Sequence, residues 1–289
     1  MKKVKLFSPA KINLTLEIIK KLPNGFHDLR SVMYKTENLK DEVEITFNHR
    51  QTGIKIICNN KNVPIDEKNI CHKIAQKFFV VSGKRVGLNI KIKKRIPLAA
   101  GLGGGSSNGA AVLLALNKYF KKPLKYKDLV TLAAEVGKDI PFFISKKKEA
   151  LVKGAGEKVQ TIKNFPKLNL LLINPQGEIS TAWAYSQLDE RMWFMENSQR
   201  KNISRKLLKC GNSAECIGQN VYNDFSIVAE ELFPVIKEIK NALIVFGAVG
   251  AEITGKGPTV VGFLKTKNDA IAMRRRLRKK YPQFFIEIA

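Results

Sequence analysis

Several short segments in the first hundred residues place apolar and polar side chains at strictly alternating positions. Residues 12–18 show this pattern most clearly, and residues 43–47 and 88–92 repeat it. A period of two is typical of a β-strand with one buried face, so these segments predict a strand-rich first part of the chain. Lys11 stands at the entrance of the first predicted strand.

Two segments that follow show helical patterns. Residues 106–119 are rich in Ala and Leu, with apolar side chains on most faces, which predicts a helix buried in a core. Ser106 or Ser107 could cap its amino end. A second helix is predicted from Tyr126 to Val136, ending at Gly137, with a loop directly after it.

A different order of elements begins beyond residue 164. It comprises a strand at 170–173, a polar segment at 197–205, a helix bearing apolar residues from 228 to 239, a strand at 251–254, a glycine loop at 255–258, a strand at 259–264, a basic helix and a strand at 284–288. This order suits a compact α+β unit. We therefore expect two domains, residues 1–163 and residues 164–289.

The bulk composition is that of a folded protein. With 289 residues and 44% hydrophobic content, the chain is long enough to bury a substantial core, which argues against a disordered or fibrous protein. The amino terminus lacks a long apolar stretch, and the longest aliphatic runs fall far short of the roughly 20 residues that cross a bilayer. We expect a cytoplasmic protein that has no membrane partner.

The chain contains four cysteines, Cys58, Cys71, Cys210 and Cys216. Their spacing matches neither a C-x-x-C pair nor a zinc site, so reduced thiols are the simplest interpretation. His72 follows Cys71, but adjacent side chains rarely chelate one metal. We therefore predict no structural metal.

The formal net charge is +26, from 51 Lys and Arg against 25 Asp and Glu. Such a charge attracts polyanions and speeds the capture of phosphorylated substrates. The densest basic cluster, residues 274–280, falls on a predicted amphipathic helix with Ala270, Met273 and Leu277 inward, so a solvated basic face is the commoner explanation. No recognised nucleic-acid module is present, and nucleic acid is not the expected partner.

One glycine-rich segment carries the clearest chemical signal. It consists of Pro97, Leu98, Ala99, Ala100, Gly101, Leu102, Gly103, Gly104, Gly105, Ser106 and Ser107. Because it lies between a strand and a helix, its backbone N–H groups can converge on an anion at the helix amino end, which predicts a phosphate cradle for ATP. It is neither a Walker A loop nor a Rossmann fingerprint. A flexible turn is the alternative, and Ser106 or Ser107 could reach Mg²⁺.

Three segments together resemble the motifs of the GHMP kinases, the superfamily of galactokinase, homoserine, mevalonate and phosphomevalonate kinases. Residues 97–107 resemble its second motif, residues 8–14 its first, and residues 254–259 its third. The resemblance spans nearly the whole chain. It implies a kinase that uses ATP and Mg²⁺, with an α+β fold of two domains, an N-terminal α/β domain like that of ribosomal protein S5 and a C-terminal ferredoxin-like α+β domain.

Three further features resemble one branch of that superfamily. They are residues 23–29, the Gly-Gly-Gly-Ser-Ser-Asn form of the second motif, and residues 137–143. The kinases of this branch phosphorylate the 2-hydroxyl of a methylerythritol that is linked to cytidine diphosphate, in the non-mevalonate route to isoprenoid precursors. The resemblance implies a small-molecule substrate that carries cytidine diphosphate. The oligomeric state is left open between a monomer and a homodimer.

Asp139 and Lys11 are the predicted catalytic pair. Phosphoryl transfer needs a positioned hydroxyl, charge neutralisation and often a carboxylate that receives the hydroxyl proton. Asp139 stands between Gly137 and Pro141, in a segment that Pro141 restricts. The Lys11 ammonium could keep Asp139 ionised and approach the transferring group. Composition alone favours an ordinary surface role for Lys11, and a surface position at a helix end is the alternative for Asp139. The motif context argues against both interpretations.

Five residues are predicted to bind the acceptor. Asn13 shares a strand face with Lys11 and could bond the substrate diol. Phe26 and His27 could stack on and hydrogen-bond a cytosine ring. By resemblance, Tyr185, after Thr181, closes the base from the other side. These five residues are Asn13, Phe26, His27, Thr181 and Tyr185.

Three positions depart from the branch, and two other functions stay open. Phe26 stands where Tyr is frequent, and Lys138 and Lys256 stand where small residues are common. The first alternative is a related kinase whose acceptor is mevalonate, phosphomevalonate, homoserine or a sugar. The second is a basic nucleic-acid-binding protein without catalysis, which salt-dependent binding would reveal.

Overall fold

The computed structural model describes residues 2–145, 147–192 and 202–289. Two sheets organise these residues. The first contains β1 (Lys2–Lys21), β2 (His27–Asn48), β3 (Ile54–Cys58), β4 (Gly87–Lys93), β5 (Glu149–Gly154), β6 (Lys158–Thr161) and β8 (Tyr222–Asn223). The second contains β7 (Asn169–Asn174), β9 (Gly250–Ile253), β10 (Val260–Leu264) and β11 (Phe285–Ile288).

The first sheet follows the order β3-β4-β2-β1-β8, and β5 joins β6 to the far part of β2. The alternating segments of the sequence pair directly, since Val43 lies opposite Ile92 and Ile45 lies opposite Ile90. All four side chains are buried. The period of two therefore predicted both the strands and the face that enters the core.

Strand β1 differs from its prediction in two ways. It runs from Lys2 to Lys21 with a register shift between Pro9 and Lys11, so Lys11 lies in the middle of the strand rather than at its entrance. Its polar positions between 13 and 17 are also buried. The second half of the chain covers them, as the 2.7 Å hydrogen bond between the hydroxyls of Thr15 and Ser204 shows.

The described residues of the first half form four helices, which lie between β3 and β5 in the chain: α1 (Ile70–Ser82), before β4, and α2 (Gly104–Tyr119), α3 (Tyr126–Val136) and α4 (Ile140–Ile144), after it. Helix α3 has the predicted bounds. Helix α2 begins earlier than predicted, with Gly103 at its N-cap, so neither Ser106 nor Ser107 caps it. A helix, α4, stands where a loop was predicted, and Pro141 fits its first turn because no N–H is needed there.

The second half adds six helices to the described residues: α5 (Thr181–Met192), α6 (Ile203–Lys209), α7 (Ala214–Gln219), α8 (Ser226–Leu232), α9 (Val235–Val245) and α10 (Lys267–Lys280). The second sheet is antiparallel in the order β11-β7-β10-β9, which is the ferredoxin-like arrangement expected for this half. The single helix predicted over residues 228–239 is wrong. It divides at Pro234, which lacks the N–H that would continue a helix.

Helix α10 carries the densest basic cluster and buries its predicted apolar residues, Ala270, Met273 and Leu277. Part of its charge is used inside the protein. Arg274 and Arg278 reach the Glu287 carboxylate on β11 at 3.2 and 2.6 Å. These two arginines therefore pin the helix to the sheet edge.

The cysteines correct one prediction. Cys210 and Cys216 form a disulfide, because the end of α6 and the start of α7 bring their Cα atoms to 5.5 Å. Cys58 and Cys71 are free thiols, and Cys71 is buried. The expectation of four reduced thiols is therefore wrong for Cys210 and Cys216.

The boundary predicted at residues 163 and 164 falls between β6 and β7. Strand β8, from the second half, pairs with β1 of the first, and a division into folding units at this boundary stays a prediction. Of the polar segment predicted at 197–205, residues 197–201 lie outside the described residues, and residues 203–205 begin α6. No helix in the described ranges combines the length and apolar character needed to cross a membrane.

Candidate active site

The glycine-rich segment forms a tight loop between β4 and α2. Gly101 and Gly103 have φ angles of 75° and 67°, in the left-handed region that favours glycine. The Leu102 carbonyl accepts a 3.0 Å hydrogen bond from the Lys11 backbone N–H, which fixes the loop to β1. A Cβ atom on Gly103 would lie 3.0 Å from both the Lys11 side chain and the Phe143 ring. The loop is therefore packed and has no space for a side chain at this position.

This loop forms one wall of a cavity of about 920 Å³. Residues 97–106 line one side, and residues 62–64 and 68–71 line another. The amino end of α2 opens onto the cavity, so its unpaired N–H groups and helix dipole favour an anion there. The geometry matches a site for the phosphates of a nucleotide.

A buried carboxylate binds the residues on both sides of the loop. Asp41, on β2, is fully buried and accepts hydrogen bonds from the backbone N–H groups of Arg95 and Ile96 at 2.7 and 2.9 Å. It also accepts from Asn108 Nδ2, on α2, at 3.0 Å and forms an ion pair with Lys94. Sequence reasoning missed this group, because one Asp beside an alternating segment gives no sign of its partners.

The third motif contacts the first motif at Asn13 and the glycine loop at Gly101. The Asn13 backbone N–H donates to Thr254 Oγ1 at 2.9 Å, and its Oδ1 accepts from the Gly255 N–H at 3.0 Å. A Cβ atom on Gly101 would clash with the Thr254 carbonyl oxygen. Three segments that are distant in sequence are therefore in direct contact.

Lys11 and Asp139 lie next to this junction. Lys11 Nζ donates to Asn13 Oδ1 at 2.6 Å and lies 3.9 Å from Asp139 Oδ2. Burial lowers the pKa of Lys11, while the Asp139 charge acts to raise it. Asp139 is the N-cap residue of α4, and its side chain is one-third exposed. An accessible carboxylate thus lies beside a buried ammonium.

A second cavity, of about 450 Å³, opens at this pair. It includes every residue predicted for catalysis or acceptor binding, namely Lys11, Asn13, Phe26, His27, Asp139, Thr181 and Tyr185. The two cavities share five lining residues: Gly101, Gly103, Ser106, Thr181 and Lys256. A group bound in one cavity can therefore approach a group bound in the other.

Aromatic side chains surround the far part of the second cavity. The rings of His27 and Tyr185 stack with centroids 4.4 Å apart, and Tyr185 meets Phe225 edge to face at 5.0 Å. Phe26 is half exposed, and Lys138 Nζ lies 4.8 Å from its ring centroid. Two of the residues that depart from the resembled branch thus contact each other.

Asp189 completes this region and was missed from the sequence. Its Oδ1 lies 2.6 Å from His27 Nε2, and its Oδ2 accepts from Lys21 Nζ at 2.6 Å. Burial acts to raise the pKa of Asp189, but these two hydrogen bonds outweigh it and the pKa is lowered. Thr181, Tyr185 and Asp189 follow each other at intervals of four on α5. That spacing was the available signal.

The remaining predicted residues differ in how they face the cavities, and their roles in binding stay predictions. Ser106 lines both cavities, whereas Ser107 is buried and lines neither. Lys256 also lines both cavities, and burial lowers its pKa while Glu178 acts to raise it. Burial raises the pKa of Tyr185 to about 12, with smaller contributions from Asp139 and a second carboxylate. The Tyr185 phenol therefore stays protonated at neutral pH.

Comparison with known proteins supports a kinase. Family models described as the GHMP kinases N terminal domain and the GHMP kinases C terminal match residues 68–147 and 200–283. The 4-diphosphocytidyl-2-C-methyl-D-erythritol kinase of Pelobacter propionicus is 37% identical over 277 residues, 96% of this chain and 95% of that protein. The protein of the same name from Geobacter metallireducens is 35% identical over 288 residues, covering 100% and 99%.

Solved structures show the same fold. A crystal structure of a 4-(cytidine 5'-diphospho)-2C-methyl-D-erythritol kinase aligns with a TM-score of 0.79 at 24% identity, covering 99% of this chain and 98% of that one. Homoserine kinase from Cytophaga hutchinsonii aligns with a TM-score of 0.73 at 20% identity, covering 100% and 94%. At these identities the likeness shows the fold alone, and it does not identify the acceptor substrate.

Proposed function

Since this chain belongs to the GHMP kinases and, within them, to the family of 4-diphosphocytidyl-2-C-methyl-D-erythritol kinases, we propose that it phosphorylates the 2-hydroxyl of 4-diphosphocytidyl-2-C-methyl-D-erythritol with ATP. This reaction belongs to the non-mevalonate route to isoprenoid precursors. The observation that supports it best is the meeting of two cavities at shared residues, with Lys11 and Asp139 lining the smaller one.

The transfer would proceed by attack of the 2-hydroxyl oxygen on the γ-phosphorus. A bond forms between that oxygen and phosphorus, and the bond from the γ-phosphorus to the bridging oxygen breaks, so that ADP leaves with the electron pair. Asp139 receives the hydroxyl proton, because it is the accessible carboxylate of the second cavity. Lys11 keeps that carboxylate ionised and stabilises negative charge near the transferring group.

Asn13 positions the Lys11 ammonium relative to the third glycine loop. Its Oδ1 accepts from Lys11 Nζ and from the Gly255 N–H, and its Nδ2 donates to Ser31 Oγ at 2.7 Å. The side chain is buried, so these bonds are not exchanged for bonds to water. Asn13 therefore holds the ammonium and the third glycine loop in fixed relation, besides any contact with the substrate diol.

The larger cavity would hold ATP. The backbone of residues 97–106 surrounds the phosphates at the amino end of α2, and Lys256 lies where the cavities join. Lys94, whose side chain is 5% exposed, lines this cavity and is paired with Asp41, so the pair adds no net charge there. The loop therefore gains rigidity from this pair.

A divalent cation, proposed here as Mg²⁺, would accompany the nucleotide. The described residues contain no cluster of three or more His, Cys, Asp and Glu side chains suited to a metal. That donor set fits an ion bound mainly by phosphate oxygens and water, as Mg²⁺ commonly is. Ser106 Oγ, which lines both cavities, is the proposed protein ligand. When bound, the ion neutralises charge on the phosphates.

The aromatic part of the second cavity would hold the cytosine. Phe26 offers an exposed ring, and Tyr185 and His27 form a stacked pair beside it. Mevalonate and homoserine have no base to stack, which makes them poorer candidates for this cavity. The proposed setting is cytoplasmic, as a monomer or homodimer with no nucleic-acid partner.

The deciding experiment measures ADP release by purified protein with Mg-ATP and a panel of acceptors. The panel contains the cytidine-linked methylerythritol, mevalonate, phosphomevalonate and homoserine. Turnover of only the first compound is the expected result. Turnover of another acceptor would support kinase activity but would show that the cavity around Phe26 and His27 binds a different substrate. Absence of ADP release with every acceptor, together with salt-dependent binding of nucleic acid, would favour a nucleic-acid-binding protein without catalysis.

A further inference from the structure

Two residues on one face of α5 hold the His27 imidazole from different directions. Tyr185 stacks on the ring face, with centroids 4.4 Å apart and planes inclined by 19°. One helical turn later, Asp189 Oδ1 contacts ring atom Nε2 at 2.6 Å. A ring that is fixed both on its face and at its edge keeps one orientation. A side chain that recognises a ligand by hydrogen bonding needs such a fixed orientation.

Asp189 is itself fixed by the hairpin that carries His27. Lys21 and His27 are paired residues at the ends of β1 and β2. The Lys21 ammonium donates to Asp189 Oδ2 at 2.6 Å, so each carboxylate oxygen has one partner. The contact therefore connects α5 to the hairpin at both strands.

The chemistry of the contact fixes where the imidazole proton lies. An ionised carboxylate only accepts hydrogen bonds, so the neutral ring must carry its proton on Nε2. Nδ1 is then a lone-pair acceptor. In the described part of the chain no hydrogen bond reaches Nδ1, and His27 lines the second cavity. Nδ1 is thus the ring nitrogen of His27 that remains for a ligand.

We propose that Asp189 is a positioning residue that sets pyrimidine specificity, because it keeps His27 Nδ1 as an acceptor for the 4-amino group of cytosine. This inference rests on the proposed function. The amino group is the donor on the pairing edge of cytosine, and uracil has a carbonyl oxygen in its place. Two lone pairs would then face each other, which disfavours uracil. Uracil could offer its N3–H only by sliding along that edge, which would move the hydroxyl away from Asp139.

The kinetic test compares the cytidine-linked methylerythritol with its uridine counterpart. The ratio of the two kcat/KM values is measured for the wild type, Asp189→Asn and Glu190→Gln. An Asn side chain can accept or donate, so it no longer selects the Nε2–H form, and the preference for cytidine should fall about tenfold or more. The KM for ATP should stay unchanged. Glu190, exposed on the same helix, provides the matched loss of charge and should keep the ratio.

A second measurement tests the positioning without any substrate. The ¹⁵N chemical shifts of the ring nitrogens report the tautomer, and assignment is simple because the chain has three histidines. At a pH where the ring is neutral, the wild type should show His27 protonated on Nε2, and Asp189→Asn should show a mixture. Protonation on Nδ1 in the wild type would overturn the inference even if the variant failed to fold.

The outcomes separate this inference from the function on which it rests. Turnover of the cytidine compound with an unchanged ratio in folded Asp189→Asn refutes the specificity role alone. Absence of turnover with both compounds in the wild type refutes the proposed function, and the specificity role with it. A lowered ratio in Asp189→Asn, with a normal ratio in Glu190→Gln, supports both.

Discussion

Lys11 Nζ lies 3.9 Å from Asp139 Oδ2, although one residue is in the middle of a strand and the other is the N-cap of a short helix. Beside it lies Gly103, which lines both cavities and has no space for a side chain because Lys11 and Phe143 pack against it. The phosphate loop and the candidate catalytic pair are therefore parts of one packed unit.

Replacement of Asp139 by Asn should lower kcat by about 10²- to 10⁴-fold, because the hydroxyl proton loses its acceptor. The KM for ATP should change little, since Asp139 does not line the larger cavity. Steady-state kinetics at saturating acceptor provide the measurement. Glu135→Gln, an equal change of charge on the outside of α3, is the control and should keep wild-type kcat. Full activity of folded Asp139→Asn would exclude a base role.

The pH profile of kcat should report the Lys11 ammonium. Burial lowers the pKa of Lys11 from its ordinary value of 10.5. The group therefore loses its proton at a lower pH than a free lysine does, and wild-type kcat should decline with the ammonium on the alkaline side. Lys11→Met should have a lower kcat that lacks this decline. The same alkaline decline in Lys11→Met would assign it to another group.

Replacement of Gly101 by Ala should destabilise the protein and raise the KM for ATP. The residue has a φ of 75°, and an added Cβ would clash with the Thr254 carbonyl. Gly83→Ala is the matched control, because Gly83 has a φ of 65° with open space around it. The control should lose about 1–2 kcal/mol from backbone strain and keep its KM. Denaturant unfolding and ATP kinetics should therefore show a larger loss for Gly101→Ala, and equal effects would contradict the close packing.

Lys35 should make stability depend on pH. Its Nζ donates to the Phe143 and Ser145 carbonyls at 3.2 and 2.5 Å, at the end of α4. Burial lowers the pKa of Lys35 from 10.5 to about 8, while Glu149 acts to raise it. Between these values the unfolded chain holds a proton that the folded protein has lost. The contribution of Lys35 to unfolding free energy therefore rises with pH across this window.

The measurement is denaturant unfolding at pH values from 7 to about 10 for the wild type and Lys35→Met. The free energy of the wild type relative to the variant should increase through this range, because other titrating groups cancel in the difference. A difference that stays constant with pH would show that Lys35 keeps an ordinary pKa in the folded protein.

The disulfide predicts a thiol count. Unfolded protein without reductant should expose two reactive thiols, from Cys58 and Cys71, and four after reduction. Loss of the cross-link in Cys210→Ser with Cys216→Ser should cost about 2 kcal/mol, because the closed loop is short. Four thiols before reduction would show that the purified protein lacks the cross-link.

Local patterns in the sequence determined the strands, most helices and the glycine loop. Val43 and Ile45 were placed on a buried face by the period of two, and they lie opposite apolar residues of β4. Tyr126 and Val136 were identified as the ends of α3. These features could be predicted because pleat, helical spacing and backbone freedom act within a few residues. The family motifs then located the candidate site, and their side chains line its two cavities.

Only the tertiary structure decided the pairs that join distant elements. The buried polar face of β1, the Asp41 carboxylate under the loop, the Asp189 contact with His27 and the Cys210 cross-link all depend on which elements meet. A polar residue carries no local sign of a partner far away in the chain. Its burial becomes favourable only when folding supplies that partner, so the sequence gives the side chain and the fold gives its role.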